Sequence, residues 1–568
     1  MKKLFAVFSV LCLLAVASTV AGILMSRGKI EVGGPRVLVW HVEGPIVEHV
    51  MRGLNLPGYE PPDSIASLFR AFRAAREDSR VRGVAVYIED TGFGLAKAQE
   101  LRRQLAALRA SGKFAKCYLE TAGEGSNGTL AYYLATACDS IALAPAGEVN
   151  LLGLRADSTF VRGTLDKLRI APAFRHVGAY KSASETYTET QHSPAAREAI
   201  ENVLDVDYRQ IVDAIADARK LPADTVRGII DGAPYGAERA KELGLVDAVV
   251  YPDGFRDDIE AAAGGDPDLV SIERYDHRPR SSGKRLAVVF AEGTILRGGG
   301  GIQPWTEEAF LGSADLGPLL RDLGEDDDVA GVVLRIDSPG GSALASDLIL
   351  REVERLASQK PVVVSMSDVA ASGGYYIASK ATKILAEPGT ITGSIGVVAG
   401  KLATRRFQQE LLGISHDEIL RGKNAGLYST LDDFSPEQDA RFMEQMQRIY
   451  GMFVGHVAAG RKMTTAAVEK IAAGRVWTGE DALRLGLVDE LGGLDRAVEI
   501  AQEAARLPAG ASPTLQYYPE QPSVLEVLFG ERRPALPAEL KALLELAAPR
   551  PTFALELPPE LRGLTRPF

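Results

Sequence analysis

Short runs rich in Val, Ile and Leu alternate along this chain with stretches whose apolar residues recur at helical spacing. Pro361–Met366 (P-V-V-V-S-M) and the start of Val332–Ser342 (V-V-L-R-I-D-S-P-G-G-S) have the length and β-branched content of strands. Ser64–Ala75, Leu95–Ala110 and Ala343–Ala357 instead carry an apolar stripe of helical period. Strands that alternate with helices form β-α-β units, so the pattern predicts an α/β fold with parallel sheets.

The pattern occurs twice. Val37–Ile46 matches Leu286–Ile295, Val81–Asp90 matches Val329–Ser338, and Ala131–Gly153 matches Gly374–Gly396. The spacing shrinks slowly, from 249 residues (Gly44 to Gly293) through 248 (Gly83 to Gly331) and 243 (Tyr132 to Tyr375) to 242 (Gly244 to Gly486). A duplication with small loop changes drifts in this way. The reading divides the chain into a first copy, 36–263, a Gly/Asp/Pro/Ser-rich linker, 264–284, and a second copy, 285–506. A Pro-rich tail follows, 507–568, with one helix expected over Ala538–Ala547.

Ahead of the first copy, residues 1–27 read as a targeting segment. Lys2 and Lys3 precede the uncharged run Leu4–Met25, which at 1.5 Å per residue can cross a bilayer core of ~30 Å. Its length favours a retained membrane helix. Ala17-Ser18-Thr19 and Val20-Ala21-Gly22 also have cleavage-site chemistry, so a removed signal is the alternative. Either way the two lysines put the bulk of the chain outside the cytoplasm. A net charge of −11 over 568 residues and the absence of a basic run argue against a nucleic-acid partner. Cys12, Cys117 and Cys138 have no metal-like spacing and suggest no disulfide scaffold. No Walker, dinucleotide or zinc motif is present, so no cofactor is expected; Gly298–Gly301 reads as a flexible loop.

Two glycine turns carry the candidate chemistry. In Ser367–Tyr376 (S-D-V-A-A-S-G-G-Y-Y) a turn between strand and helix can hold the Ser372 hydroxyl out of the sheet, beside backbone N–H groups able to meet an oxyanion. Upstream, Ser338-Pro339-Gly340-Gly341-Ser342 ends another strand in the same manner. The first copy has lost this chemistry: Thr129 stands at the Ser372 position, and Gly92 and Phe93 at those of Gly340 and Gly341. A lysine shows the reverse. Lys181, in Gly178-Ala179-Tyr180-Lys181-Ser182, corresponds to Ala425, with Lys423 two positions out of register as a weaker rival. Asp337 and Asp368 flank the turns and His176 lies near Lys181, so a Ser-His-Asp triad stays open on the residues alone.

S-P-G-G-S, A-A-S-G-G-Y-Y, T-G-S-I-G (Thr392–Gly396) and G-x-Y-K-S, in their expected halves, resemble the long, duplicated form of the signal peptide peptidase A family, membrane-anchored Ser–Lys proteases related to Clp-type proteases and the crotonase fold. The resemblance spans about Val37 to Val498. It implies tandem crotonase-like domains, Ser372 as nucleophile and Lys181 as general base. It further implies Gly340, Gly341 and Gly373 at the oxyanion and Ser394 supporting the lysine. Substrates would be cleaved signal peptides and similar apolar peptides. The enzyme would be a tetrameric homo-oligomer in a bacterial-type inner membrane, working on the periplasmic side. Val369 departs from the Met that many relatives carry there, which puts pocket preference in doubt. The rival readings are a crotonase-type acyl-CoA hydratase or hydrolase, which needs a carboxylate base, and a non-catalytic membrane scaffold.

Overall fold

The computed structural model describes residues 34–50, 63–275, 284–302, 309–508, 513–519 and 554–556. The apolar segment 1–27 and the helix expected over Ala538–Ala547 lie outside these residues. Among the described residues no helix is long and apolar enough to cross a membrane.

Each copy builds a sheet on the same six-strand parallel plan, and the second copy's sheet adds Ile391–Gly393, parallel to the end of Val362–Ala371, and Val476–Thr478, antiparallel to Ile391–Gly393. The first has the order Ala248–Val249, Ser140–Leu143, Phe114–Leu119, Val81–Ile88, Arg36–Val42, Asp268–Ser271. The second repeats it with Glu490–Leu491, Lys383–Ala386, Val362–Ala371, Val329–Ser338, Arg285–Glu292, Thr514–Tyr518. The outermost strands come from stretches read as linker and tail: Asp268–Ser271 pairs with Arg36–Val42, and Thr514–Tyr518 with Arg285–Glu292. Neither stretch has enough apolar alternation to announce a strand; the free edge of each sheet supplies the pairing.

The Val/Ile/Leu runs are strands because both faces are covered. Val362–Ala371 is buried at every position, as parallel strands between helical layers must be. One apolar cluster joins the copies, with Leu101 and Leu105 of the first packed in the same core as Val288, Val333 and Leu494 of the second.

A third sheet crosses between the copies in the order Gly301–Ile302, Ala309–Gly312, Thr294–Leu296, Gly340–Ser342, Ala554–Glu556, Val397–Ala403, Ala171–Val177. Its last member belongs to the first copy and pairs antiparallel with Val397–Ala403 of the second, Val177 opposite Val397 through Ala171 opposite Ala403.

Cys117 and Cys138 form a disulfide. The sequence spacing shows no sign of it, because strand Phe114–Leu119 and the turn after helix Thr129–Ala135 become neighbours only in the folded sheet.

Candidate active site

Strand Val362–Ala371 ends at Ser372, which caps helix Gly373–Ala378 with φ 56° and ψ −113°. A left-handed φ is strained for a residue with a Cβ, and persists only where the surroundings impose it. Here they do. The Ser372 N–H donates to Gly393 O at 2.8 Å, and its carbonyl accepts from Tyr376 N–H at 2.8 Å. The residue after it has little room for a side chain: a Cβ on Gly373 would lie 2.7 Å from Ser346 Oγ and 3.0 Å from Gly340 Cα.

The inter-copy strand pair brings the lysine. Four residues beyond Val177 the chain reaches Lys181, while Ser394 lies three residues before Val397. Lys181 Nζ and Ser372 Oγ are hydrogen-bonded at 2.7 Å, and Nζ also contacts Ser394 O and Ser394 Oγ, each at 3.0 Å. Lys181 is 1% exposed and the two serines 0%. Close backbone approach makes this possible: Tyr180 N–H donates to Ala473 O at 2.8 Å, and a Cβ on Gly474 would fall 2.5 Å from the Lys181 nitrogen.

The glycines expected at the oxyanion lie on strand Gly340–Ser342 and at the start of helix Gly373–Ala378, next to each other beside Ser372. Gly373 is the first residue of that helix, where an N–H has no intrahelical acceptor. Gly341 N lies close enough that a Gly373 Cβ would stand 3.1 Å away. The Gly340 N–H is engaged by Ser338 Oγ at 3.2 Å, so of the three glycines expected at the oxyanion Gly341 and Gly373 remain as candidates.

Behind both turns lies a buried charge network that sequence reasoning missed. Arg335, with no exposure, donates to Glu48 Oε2 at 2.8 Å, Glu100 Oε2 at 2.6 Å and Ser365 Oγ at 2.9 Å. Lys97 from the first copy reaches Asp337 at 2.8 Å, Glu48 at 3.3 Å and Asp368 at 3.8 Å. Asp368 in turn accepts from the Gly94 and Lys97 N–H groups, both at 2.9 Å. Burial alone would raise the Glu48 carboxyl, yet the Arg335 and Lys97 charges hold it down at about 2. Burial pushes Asp368 up to about 6 even with Lys97 beside it. The available signal was a charge in the middle of an apolar strand, Arg335 in V-V-L-R-I.

The other candidates separate. Ser394 meets Lys181 and is itself left-handed, φ 52°. Lys423 is exposed on a loop. His176 turns its ring to Gly178 O at 2.9 Å and is exposed; among the described residues no histidine is hydrogen-bonded to Ser372. Thr129 is held by Gly153, donating to its carbonyl at 3.2 Å and accepting from its N–H at 3.0 Å. Val369 packs with Ile391, Val476 and Ile200 in an apolar cluster between the copies.

The family model Peptidase family S49 matches residues 119–264 and 354–508. A chloroplastic serine protease SPPA of Arabidopsis thaliana is 34% identical over 80% of this chain and 67% of its own length. Protease 4 of Salmonella typhi is 33% identical over 85% of this chain and 79% of its own, and Protease 4 of Haemophilus influenzae 30% over 76% and 72%.

Proposed function

The chain belongs to peptidase family S49 and is a serine-type endopeptidase, and from that premise we propose that it cuts peptides with a Ser372–Lys181 dyad assembled across its two copies. The observation that carries this reading is the buried 2.7 Å contact between Lys181 Nζ and Ser372 Oγ.

The surroundings suit a lysine acting as base. Removing an ammonium from water disfavours its charged form. A neutral amine can donate to the carbonyl and Oγ of Ser394 and keep its lone pair for the Ser372 hydroxyl. Lys181 takes the Ser372 proton as Oγ attacks the scissile carbonyl. The tetrahedral oxyanion is met by the Gly341 and Gly373 N–H groups. The proton then passes to the leaving amine, the acyl-enzyme forms, and a water activated by the same amine releases it. The 2.7 Å contact with Lys181 Nζ sets Oγ beside the base.

The substrates on this reading are signal peptides left in the membrane and similar apolar peptides. Segment 1–27 serves as the anchor, the catalytic part lies on the extracytoplasmic side, and the enzyme works as a homo-oligomer. The support is the uncharged run Leu4–Met25, which would keep the site beside its substrates.

Ser372→Ala should abolish cleavage of an apolar reporter peptide and labelling by a fluorophosphonate. Lys181→Arg should fall by at least ~10³-fold, because guanidinium stays protonated and cannot accept the serine proton. Lys423→Arg should change little. Retained turnover in Ser372→Ala, or near-normal turnover in Lys181→Arg, would refute the dyad.

A further inference from the structure

The strand that leads to Ser372 falls out of step with its neighbour just before the nucleophile. Val362–Ala371 pairs with Val329–Ser338 in even register from Val332 opposite Val362 to Ile336 opposite Met366, and the pairing resumes with Ser338 opposite Ala370. Ser367, Asp368 and Val369 therefore stand against Asp337 alone, a β-bulge that carries two extra residues. Had the register run on, Ser372 would reach the level of Ser342. The bulge draws it back by about 7 Å, two residues of strand rise, to the level of Gly340. The close approach of the two glycine turns depends on this set-back, since a Cβ on Gly373 would stand 3.0 Å from Gly340 Cα. In the first copy, which lacks the nucleophile, the corresponding strands pair without a shift, from Gly83 opposite Phe114 to Ile88 opposite Leu119.

Each residue of the bulge is held by a carboxylate. The Ser367 hydroxyl donates to Glu48 and accepts from Arg335 Nη2 at 3.0 Å, and the Ser367 carbonyl accepts from Thr390 Oγ1 at 2.8 Å. Asp368 takes the Gly94 and Lys97 N–H groups. The Val369 N–H donates to Asp337 Oδ1 at 3.1 Å. One ammonium joins the three holds: Lys97 Nζ lies 2.8 Å from Asp337 Oδ2, 3.3 Å from Glu48 Oε1 and 3.8 Å from Asp368 Oδ2. Burial disfavours the charge on Lys97, but the Asp337, Glu48 and Asp368 carboxylates hold its pKa well above the ordinary value. It is a fixed cation, unsuited to act as a base. The residue at the matching position of the second copy is Ala345, so this lysine serves the other copy's strand.

We propose that Lys97 is a positioning residue for the nucleophile: its ammonium clamps the bulge Ser367–Val369 and so fixes Ser372 at the level of the Gly340 turn and of Lys181. The proposal rests on the Ser372–Lys181 reading of the site. On it the first copy supplies two buried lysines, one to exchange a proton with Ser372 and one to set where Ser372 stands. Lys97 acts through the backbone of the strand, so its loss slows the chemical step and leaves peptide binding nearly as it was.

The test measures kcat and KM for an apolar reporter peptide, and the rate of fluorophosphonate acylation, in the full-length chain. Lys97→Met keeps the length of the side chain and removes its charge. Both kcat and the acylation rate should fall by about 10²-fold, the cost of misplacing a reacting atom by ~1 Å, while KM stays within about threefold. Lys97→Arg keeps a cation and should recover about tenfold of that loss. A second pair isolates the bulge. Asp337→Asn and Asp337→Ala remove the same charge, but only Asn retains an acceptor for the Val369 N–H, so the Ala variant should be slower in kcat by about tenfold. A Lys97→Met kcat within about threefold of the wild type would overturn the proposal. So would a melting temperature that Lys97→Arg restores without restoring kcat, which would leave the lysine a purely structural part. Should Lys97→Met fail to fold, equal kcat in the two Asp337 variants overturns it instead. Ser372→Ala keeps the two readings apart: turnover that survives it refutes the dyad, whereas turnover lost in it beside a normal Lys97→Met refutes only the clamp.

Discussion

Gly474 has φ +83° and presses against the backbone of Lys181, where a Cβ would stand 2.5 Å from both the lysine nitrogen and its Cβ. Neither atom is the loose end of a flexible chain, so any side chain must push the lysine backbone. Gly474→Ala should therefore lower kcat by about 10²-fold through misplacement of the base, with KM changed far less; steady-state kinetics separate the two. Full activity would mean that Lys181 has slack that its contacts do not suggest. Ser372 illustrates the same dependence on backbone. Its positive φ is imposed by Gly393 O on one side and the start of helix Gly373–Ala378 on the other, so the geometry of the hydroxyl is set by its neighbours.

Among the elements, helix Leu95–Ala110 does most to join the copies. Its first turn contributes the Gly94 and Lys97 N–H groups to Asp368, and the next turn contributes Glu100 to Arg335. The strand holding Arg335 leads to Gly340, and the strand holding Asp368 leads to Ser372. The first copy thus braces both turns of the second. Arg335→Leu should destabilise the protein by ~3–5 kcal/mol, because Glu48 and Glu100 would be left buried without their partner. Thermal or denaturant unfolding measures this directly. A loss below ~1 kcal/mol would show that the two carboxylates find other partners or take up protons at little cost.

At the scale of the whole molecule, the copies meet again where helix Pro194–Arg219 lies against the Gly479–Arg484 helix. Asp207 is buried there, its carboxyl raised well above the usual range by burial and then by the Glu480 and Asp481 charges. A carboxyl with a raised folded-state pKa favours folding while it is protonated. That contribution is present at low pH and is lost as pH rises from the unfolded value of 3.8 through the raised one. Asp207→Asn keeps the neutral form at every pH. Its melting temperature should exceed that of the wild type at pH 8, by ~2–4 °C per kcal/mol, and approach it near pH 4. An equal difference at both pH values would show that Asp207 does not titrate between them.

What the sequence by itself determined was local in origin. Alternating apolar runs and helical stripes dictated parallel α/β sheets, and the drifting pairs from Gly44/Gly293 to Gly244/Gly486 dictated that there are two of them. Ser372 and the glycines around it were legible because a strand-to-helix turn demands small residues at particular positions. The duplication also showed which copy retained each group. Only the tertiary structure decided how those groups meet. The 2.7 Å contact of Lys181 with Ser372 spans 191 residues of sequence and exists because Ala171–Val177 pairs with Val397–Ala403 in one register. A slip of one residue would turn every side chain of that strand to the other face. The Lys97 and Arg335 networks, the Cys117–Cys138 bond and the strand Ala554–Glu556 were invisible for the same reason. Each depends on which distant backbones become neighbours, and no period along the chain encodes that.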